Sequence, residues 1–276
     1  MISIVTITYN NYQELKATLY SIKEQLKNFE STLELIVING GSCCESKRFL
    51  SEFANRLRVE ASERVNILVV NESDRGISDA FNKGVHAATG DAIMLLNSGD
   101  LLVAGALTYF QYARKLETEN ETAFLHADVI FNDGIAGKIR MAPRMCEKNL
   151  GQGMPYWHQT MIVRRRVWSG VGEFKLAYRF GMDYEWVCRL LQQGYRGEYW
   201  GVTPVVLMDG GGVSVTRELQ SIKECFRALK ENHLLTIQNI AGLVRRTILY
   251  FMRRFLIRVG AQQVLSYLKR KKYKQR

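Results

Sequence analysis

Cysteine, proline and long apolar runs are scarce in this 276-residue sequence, and each shortage excludes a class of protein. Its five scattered cysteines are too few for the disulfide framework of a small secreted domain. No run of about 18 apolar residues occurs, so we expect no membrane-spanning helix. The N-terminus lacks the basic region and apolar stretch of a signal peptide. Together these absences favour a protein of the reducing cytoplasm.

Two phosphate-binding motifs are also missing. The sequence contains neither Gly-x-Gly-x-x-Gly nor Gly-x-x-x-x-Gly-Lys-Ser/Thr, which argues against a dinucleotide-dependent dehydrogenase and against a P-loop enzyme. A diphosphate that binds without such a glycine cradle needs a cation beside it, and a hard divalent ion prefers carboxylate oxygens. Acidic residues at the ends of strands are therefore the candidate ligands for such an ion.

Acidic residues are absent after Glu231, whereas residues 237–276 contain eleven lysines and arginines. The net charge of +11 therefore belongs to this tail, because the rest of the chain has equal numbers of basic and acidic residues. On a helix, one broad apolar face would contain Ile240, Leu243, Val244, Ile248, Phe251, Met252, Phe255 and Val259. The arginines predicted opposite that face are Arg245, Arg246, Arg253, Arg254 and Arg258.

Such a basic amphipathic helix is typical of membrane interfaces, where each Lys or Arg near anionic lipid contributes about 1 kcal/mol. The basic run over residues 269–276 would extend that charge. We therefore expect residues 237–276 to bind an anionic membrane surface. The alternative is a helix that packs on the preceding domain and ends in a disordered basic segment. Nucleic acid is disfavoured as a partner, since the body of the chain offers no basic stripe.

Apolar strands alternate with helical periodicity through the first hundred residues, which predicts βαβ units and an α/β fold with a mostly parallel sheet flanked by helices. The predicted strands cover residues 3–8, 33–38, 65–70 and 92–96, and the helices between them cover 13–29, 45–64 and 78–88. Each strand ends in a polar or glycine-rich cluster, at residues 9–11, 39–42, 71–76 and 97–100. Any one cluster could be a plain turn. Because carboxyl ends of parallel strands share one edge, where ligands bind in open α/β sheets, we expect all four clusters to meet near Asp100.

The second half of the chain has a less regular pattern. We predict a helix over residues 104–117, a strand over 124–131 with Asp128 exposed, an irregular stretch over 132–156 and a strand over 160–163. A helix starts at Gly181, with Asp183 as its N-cap or as a first-turn residue. A last strand over 199–208 precedes a loop over 209–214, which is either a mobile lid or a plain turn. From Glu218 onward the chain is predicted to be helical.

Five segments in this order resemble glycosyltransferase family 2. They are VTITYNN (5–11), IVINGGS (36–42), DRGISDAFNKG (74–84), ATGD (88–91) and LLNSGD (95–100). The resemblance covers roughly residues 1–215 and points to bacterial enzymes that build O-antigen, capsule or colanic-acid-like polysaccharide. It implies a GT-A fold, a nucleotide-sugar donor, a Mg or Mn ion and inversion at the anomeric carbon. On this basis residues 1–103 form a nucleotide-sugar-binding half, 104–215 an acceptor-binding half and 216–276 a membrane-associating tail.

The resemblance also assigns roles to individual residues. The implied donor-binding residues are Thr8, Tyr9, Asn10, Asn39, Asp74, Arg75, Lys83, Asn97, Ser98 and His158. Asn39 stands where the family usually has an aspartate that contacts the base, and an amide can still donate and accept hydrogen bonds there. At the Asp-x-Asp position only Asp100 retains a carboxylate, so it is the implied metal ligand. His158 would contact the diphosphate or the metal, or have only a structural role.

Asp183 matches the aspartate that serves as general base in the family. The reaction needs such a base, because the acceptor hydroxyl must lose a proton as it attacks the anomeric carbon, and base catalysis typically contributes about 10²–10⁴-fold. Glu185 is the second choice. It would face away from Asp183, since residues on one face of a helix are three or four positions apart.

The predicted function is thus an inverting, metal-dependent glycosyltransferase of hexosyl or N-acetylhexosaminyl type, moving a sugar from a UDP-sugar to a lipid-linked saccharide in bacterial surface polysaccharide synthesis. We expect it to be cytoplasmic and peripheral on the inner face of the cell membrane. The alternative is a non-catalytic nucleotide-sugar-binding module, because Asn39 and Gly99 replace two acids that the family usually has.

Overall fold

A seven-stranded sheet lies at the centre of the computed structural model, which describes residues 1–26, 29, 31–61, 64–118, 121–133, 137–209 and 217–261. In spatial order its strands are β3 (Val65–Asn71), β2 (Leu33–Asn39), β1 (Ile2–Thr8), β4 (Ala92–Asn97), β9 (Ile162–Arg164), β6 (Phe124–Ala127) and β10 (Gly197–Trp200). Strand β9 runs antiparallel to both of its neighbours, and every other neighbouring pair is parallel. The predicted mostly parallel sheet is therefore confirmed.

A smaller sheet contains β5 (Leu101–Leu102), β11 (Val206–Asp209), β7 (Val129–Asp133) and β8 (Gly137–Met141), in that spatial order. The described helices are α1 (Tyr12–Leu26), α2 (Cys44–Ala61), α3 (Ile77–Ala87), α4 (Gly105–Ala113), α5 (Lys115–Thr118), α6 (Arg165–Val171), α7 (Met182–Gln192), α8 (Glu218–Glu231) and α9 (Ile237–Arg258). Two short 3-10 helices, Glu147–Gln152 and His158–Thr160, precede β9. No helix in the described parts of the chain is long and apolar enough to cross a membrane.

Strands β1, β2 and β4 are buried along almost their whole length because helices cover both faces of the large sheet there, whereas β3 at the edge exposes Asn66 and Leu68. Alternate residues of one strand enter different cores: in β2, Leu35 and Val37 join the core with α1 and α2, whereas Ile36 and Ile38 join the core with α3. The strands are also in register at their carboxyl ends, where Asn39 is the partner of both Thr8 and Asn71. The four predicted polar clusters therefore do lie along one edge.

Two strand predictions in the second half are wrong in extent. Residues 124–131 form two strands that belong to different sheets, and the change of sheet occurs at Asp128. This residue is buried rather than exposed, because Arg140 forms an ion pair with it at 2.6 Å and the Tyr199 hydroxyl donates to it at 2.5 Å. Residues 199–208 divide in the same way between β10 and β11. The stretch 132–156, predicted to be irregular, contains β8 and a 3-10 helix.

The C-terminal helices share the core of the preceding residues. Helix α8 buries Cys225 and Leu229 in the same apolar core as α7, and α9 buries Leu243 there. Leu243 therefore does not belong to the outward apolar face, although the other residues predicted on that face are exposed. The predicted arginine face is also divided, since Arg253 forms an ion pair with Glu218 and Arg246 contacts Cys225. The loop over 210–214 and the basic run over 269–276 lie outside the described residues.

Candidate functional site

Asp100 lies at the carboxyl edge of the large sheet, in the turn that follows β4. Its backbone N–H donates to the Asn97 carbonyl at 3.1 Å, and Gly99 between them has φ of +100°, a conformation that glycine adopts readily. The turn is fixed to helix α1 because the Gly99 N–H donates to the Thr18 hydroxyl at 2.9 Å. The Asp100 side chain is 8% exposed and accepts a hydrogen bond from Asn97 Nδ2 at 3.0 Å. The turn thus places a nearly buried carboxylate at the rim.

A chain of polar contacts joins Asp100 to Asp183 across this edge. Asn97 Nδ2 also lies 3.3 Å from Nε2 of His158, and Nδ1 of the same ring lies 3.1 Å from Asp183 Oδ2. The 3-10 helix His158–Thr160 positions the imidazole. Asp183 is held in the first turn of α7, after the N-cap residue Gly181. The structure thus brings together the predicted metal ligand, Asn97, His158 and the predicted base in one network, a link that the sequence did not indicate.

At each end of this network, burial raises the pKa of the carboxyl group, whereas hydrogen bonds and the charge of His158 lower it. Burial raises the pKa of Asp100 above its usual value, although the hydrogen bond from Asn97 and the charge of His158 oppose the rise. Burial acts in the same direction on Asp183, but its hydrogen bond with His158 and the charge of that ring lower the net pKa of Asp183. Asp183 is therefore ionised at neutral pH, as a proton acceptor must be.

The pKa of His158 responds to both acids. Burial acts to lower the pKa of its ring, but the hydrogen bond to Asp183 and the negative charges of Asp183 and Asp100 together raise it above the usual value. The ring therefore gains a proton more readily than an isolated histidine. When protonated it donates to Asp183 and is attracted to Asp100.

Glu185, the second choice for the base, is placed very differently. Its side chain is 0% exposed, and its carboxylate lies between Lys175 Nζ at 2.8 Å and the Arg189 guanidinium at 3.0–3.1 Å. Both oxygens are thus engaged by cations within the protein. A fully buried carboxylate with two cationic partners is suited to structural support of α7, and no acceptor hydroxyl can reach it in this arrangement.

The loop after β3 carries the predicted ribose and diphosphate residues. Asp74 accepts a hydrogen bond from the Gly76 N–H at 2.9 Å, and its carboxylate lies directly against Gly40 of the neighbouring loop. A Cβ at Gly40 would come within 1.9 Å of Asp74 Oδ2, so only glycine leaves room for this carboxylate. Gly40 was not singled out from the sequence, because a close approach between loops leaves no local signal.

Asp79 organises the two cations predicted to face the diphosphate. One of its oxygens accepts from the Arg75 backbone N–H at 3.0 Å, the other from the Arg75 guanidinium at 3.1 Å, and Lys83 Nζ lies 3.8 Å away. Lys83 also contacts Glu72 at 2.7 Å. Asp79 was not predicted as a site residue, although its position four residues from each cation is the spacing of neighbours on a helix.

The predicted nucleoside residues lie at the ends of β1 and β2. Tyr9 is 64% exposed at the rim, and the Asn10 N–H donates to the Ser42 hydroxyl at 3.0 Å. Asn39 is fully buried: its Oδ1 accepts from the Ser42 N–H at 3.0 Å, and its Nδ2 donates to Asn71 at 2.8 Å. Asn39 thus holds two rim loops together and directs no free side-chain atom at the surface. Thr8 is buried beside it and donates to the Asn11 side chain.

A divalent cation would find few protein ligands at this edge. No group of three or more His, Cys, Asp or Glu side chains placed to hold a metal occurs in the described parts of the chain. Asp100 supplies one carboxylate, and His158 is close enough to influence its charge. These residues fit an ion that takes most of its ligands from phosphate oxygens and water, as Mg²⁺ usually does.

An apolar pocket lies beside the His158–Asp183 pair. Its other lining residues are Phe81, Leu95, Met154, Met161, Val163, Trp168, Phe174, Met182, Trp186 and Val187. The pocket surrounds the two polar side chains with a low-polarity wall, which limits water around them and strengthens their interaction.

Comparison with known proteins identifies relatives along most of the chain. Residues 3–166 match the model of Glycosyl transferase family 2. The chain is 28% identical over 250 residues to a "PGL/p-HBAD biosynthesis glycosyltransferase" of Mycobacterium bovis, with 89% of this chain and 90% of that protein covered. It is also 25% identical over 192 residues to an uncharacterized glycosyltransferase of Mycobacterium tuberculosis, covering 68% of each chain.

Solved structures with the same fold include S. aureus TarS 1–349, with a TM-score of 0.63, 13% identity and coverage of 98% of this chain and 78% of that one. A second is the mannosyltransferase PcManGT of Pyrobaculum calidifontis in complex with GDP-Man and Mn²⁺, with a TM-score of 0.60, 14% identity and coverage of 99% and 84%. The likeness establishes the GT-A fold predicted above. Because the family model spans more than half of the chain and includes Asp100 and every rim loop before it, the protein belongs to glycosyltransferase family 2 and is a glycosyltransferase.

Proposed function

We propose that this enzyme is an inverting, metal-dependent glycosyltransferase that moves a hexosyl or N-acetylhexosaminyl group from a UDP-sugar to a lipid-linked saccharide in bacterial surface polysaccharide synthesis. The observation that carries the proposal is the network from Asp100 through Asn97 and His158 to Asp183. It joins an acid at the end of β4, on the donor side, to an acid at the start of α7, on the acceptor side. Sugar transfer requires a cation-binding acid at the first of these places and a proton acceptor at the second.

In this proposal Asp183 removes the proton from the acceptor hydroxyl. Its lowered pKa keeps it ionised, and His158 holds the carboxylate through the bond at 3.1 Å. The same hydrogen bond keeps the carboxylate in place while the hydroxyl proton moves to Asp183. The attack takes place opposite the leaving diphosphate, which inverts the anomeric carbon. General-base assistance of this kind contributes about 10²–10⁴-fold to the rate.

On the donor side, Asp100 would hold a Mg or Mn ion, which stabilises the negative charge that develops on the leaving diphosphate. Arg75 and Lys83, which Asp79 positions, would add positive charge to the same diphosphate. A UDP-sugar as donor is supported by TarS, a protein of the same fold that has been solved with UDP and with UDP-GlcNAc. The rim loops that end at Tyr9, Asn10 and Ser42 would accept the nucleoside.

The test of this proposal begins with donor binding. A panel of nucleotide sugars is added with and without Mn²⁺ while the thermal unfolding midpoint is followed, because a ligand of the folded state raises that midpoint. A UDP-sugar should produce the largest rise, and only with Mn²⁺. The best donor is then assayed for slow hydrolysis and for transfer to extracted lipid-linked saccharides. A UDP-sugar that binds with Mn²⁺ but is neither hydrolysed nor transferred would favour the non-catalytic alternative.

The membrane part of the proposal rests on helix α9. After docking through Leu243, the helix still exposes an outer apolar face that includes Ile248, Phe251 and Phe255, the last of which is 63% exposed. The exposed Arg254 lies among these residues and would meet anionic headgroups. A lipid-linked acceptor makes this surface useful, because it holds the enzyme at the layer where the acceptor lies.

Point substitutions test the membrane surface better than truncation, since truncation would also remove the docked Leu243. The Phe251→Ser/Phe255→Ser variant should lose co-sedimentation with vesicles of phosphatidylcholine and phosphatidylglycerol. Val59→Ser is a matched control, because Val59 is 84% exposed on α2, away from α9. If the double variant sediments as the wild type does, the outer face of α9 is not a membrane-binding surface.

A further inference from the structure

Arg246 is a partly buried cation for which the structure provides no anionic partner. It lies on the docked side of α9, and its Nη1 is 3.5 Å from the Cys225 thiol, a weak acceptor. Among the described residues, no carboxylate lies within ion-pair distance of it. Arg253, two turns further along the same helix, instead forms an ion pair with Glu218. Because a desolvated charge is costly unless it is compensated, Arg246 favours an anionic ligand.

Arg144 brings a second guanidinium to the same place. Both arginines flank Gly153: an added Cβ at that glycine would lie 2.9 Å from Arg144 Nη1 and 3.4 Å from Arg246 Nη1. The two cations are therefore close neighbours, and Arg144 Nη1 also donates to the Gln152 carbonyl. An anion that contacts both guanidiniums is attracted by the charge of each. Gly153 has φ of +117°, and because it has no Cβ both guanidiniums can lie this close to it.

This pair of arginines lies on the acceptor side of the site. Met154 follows Gly153 directly and lines the same pocket as His158 and Asp183. On the other side, Arg246 touches Cys225 of α8, and the preceding residue, Glu224, packs against Gly181 at the start of the helix that carries Asp183. The arginine pair is thus connected to the candidate base from two directions, and one of its members belongs to the helix with the outer apolar face.

We propose that Arg144 and Arg246 form a phosphate-binding site that holds the phosphate of the acceptor's lipid linkage while the acceptor hydroxyl lies at Asp183. The inference rests on the proposed function, since it assumes an acceptor that carries such a phosphate. Paired guanidiniums suit this ligand because each can donate two parallel hydrogen bonds to phosphate oxygens. The site also gives α9 a second role, because the helix then contributes directly to acceptor recognition.

The test compares Arg246→Gln with Arg245→Gln in the full-length protein. The two variants remove the same charge from adjacent positions, but Arg245 is exposed whereas Arg246 is partly buried. Inorganic phosphate is titrated against chloride of equal ionic strength while thermal unfolding is followed. Both variants retain the donor site, so phosphate binding there cancels in the comparison. Losing a charge-assisted hydrogen bond should weaken phosphate binding about tenfold or more in Arg246→Gln only.

Arg144→Gln, from a different element, should show the same loss and keeps the test valid if Arg246→Gln folds poorly. Equal phosphate affinity in Arg246→Gln, Arg144→Gln and Arg245→Gln would overturn the site. Phospholipid headgroups are the other source of phosphate: if Arg246→Gln releases the protein from phosphatidylglycerol vesicles and Arg245→Gln does not, the assignment to the acceptor is wrong. A third outcome separates the two proposals. If the protein transfers no sugar but its phosphate binding still depends on Arg246, the proposed function is contradicted and the phosphate site is not.

Discussion

Isosteric amide substitutions at Asp183 and Glu185 should affect different properties, although the residues are two positions apart on one helix. The first should lower the rate of transfer, and the second should lower stability. Asp183→Asn keeps an oxygen that can accept from the Tyr184 N–H, now at 2.8 Å, but it removes the proton acceptor. We expect kcat to fall about 10²–10⁴-fold, which corresponds to roughly 3–5 kcal/mol of transition-state stabilisation. The unfolding midpoint should change little, since the pair with His158 is partly exposed and contributes about 1 kcal/mol or less.

Glu185→Gln should instead reduce stability and leave chemistry intact. Removing one member of a buried ion pair costs about 3–5 kcal/mol. Because Arg189 and Lys175 are 15% and 42% exposed, solvent screens part of that loss, and we expect roughly 2–4 kcal/mol. For a chain of this size the unfolding midpoint then falls by about 5–10 °C.

The two variants are compared by thermal unfolding and by initial rates of sugar transfer, measured well below both midpoints. Fraction folded is checked at the assay temperature, so that a loss of folded protein is not taken for a loss of kcat. A Glu185→Gln enzyme that is stable but inactive, together with an active Asp183→Asn enzyme, would show that the base has been assigned to the wrong acid.

Three further perturbations follow from contacts at the rim. Asp100→Asn should abolish the rise in unfolding midpoint that a UDP-sugar produces with Mn²⁺, and a retained Mn²⁺-dependent rise would exclude Asp100 as a metal ligand. The raised pKa of His158 means that its pair with Asp183 stabilises the fold fully below the ordinary histidine pKa and loses this effect as pH rises through the raised value. The stability advantage of wild type over His158→Gln should therefore be larger at about pH 6 than at about pH 9, and equal differences would refute it. Gly40→Ala should displace the Asp74 carboxylate and weaken donor binding. Stability should fall little, because the flexible Asp74 side chain can move away. Unchanged donor affinity would show that Asp74 does not contact the donor.

The parallel half of the sheet could be predicted because its strands contain runs of apolar and β-branched residues and its helices are periodic. Each of the three helices in that half begins within one residue of the predicted position. The change of sheet at Asp128 could not be predicted in the same way. The apolar pattern continues across this residue, and the partners that allow its burial, Arg140 and Tyr199, come from later segments of the chain.

The same limit applies to the candidate site. Motif positions were sufficient to name Asp100, His158 and Asp183 one by one, but the network that joins them depends on where β9 and α7 return to the rim. For Asn39 the motif position and the structure point to different roles. The resemblance places Asn39 at the base of the nucleotide, whereas its side-chain oxygen and nitrogen both form hydrogen bonds that hold neighbouring loops. A base-reading role for Asn39 would require at least one of those hydrogen bonds to open.

Helix α9 shows why one apolar periodicity can contain two surfaces. Plotted alone, its apolar residues form one face and its arginines the opposite one, which favours a membrane helix over a helix packed on the preceding domain. Docking through Leu243 divides that face, and it also separates Arg246, which is turned inward, from Arg245, which is turned outward. The membrane surface and the phosphate site therefore depend on different side chains of the same helix. Phe251→Ser/Phe255→Ser can remove vesicle binding without changing phosphate affinity, and Arg246→Gln can do the opposite, so each hypothesis can fail without the other.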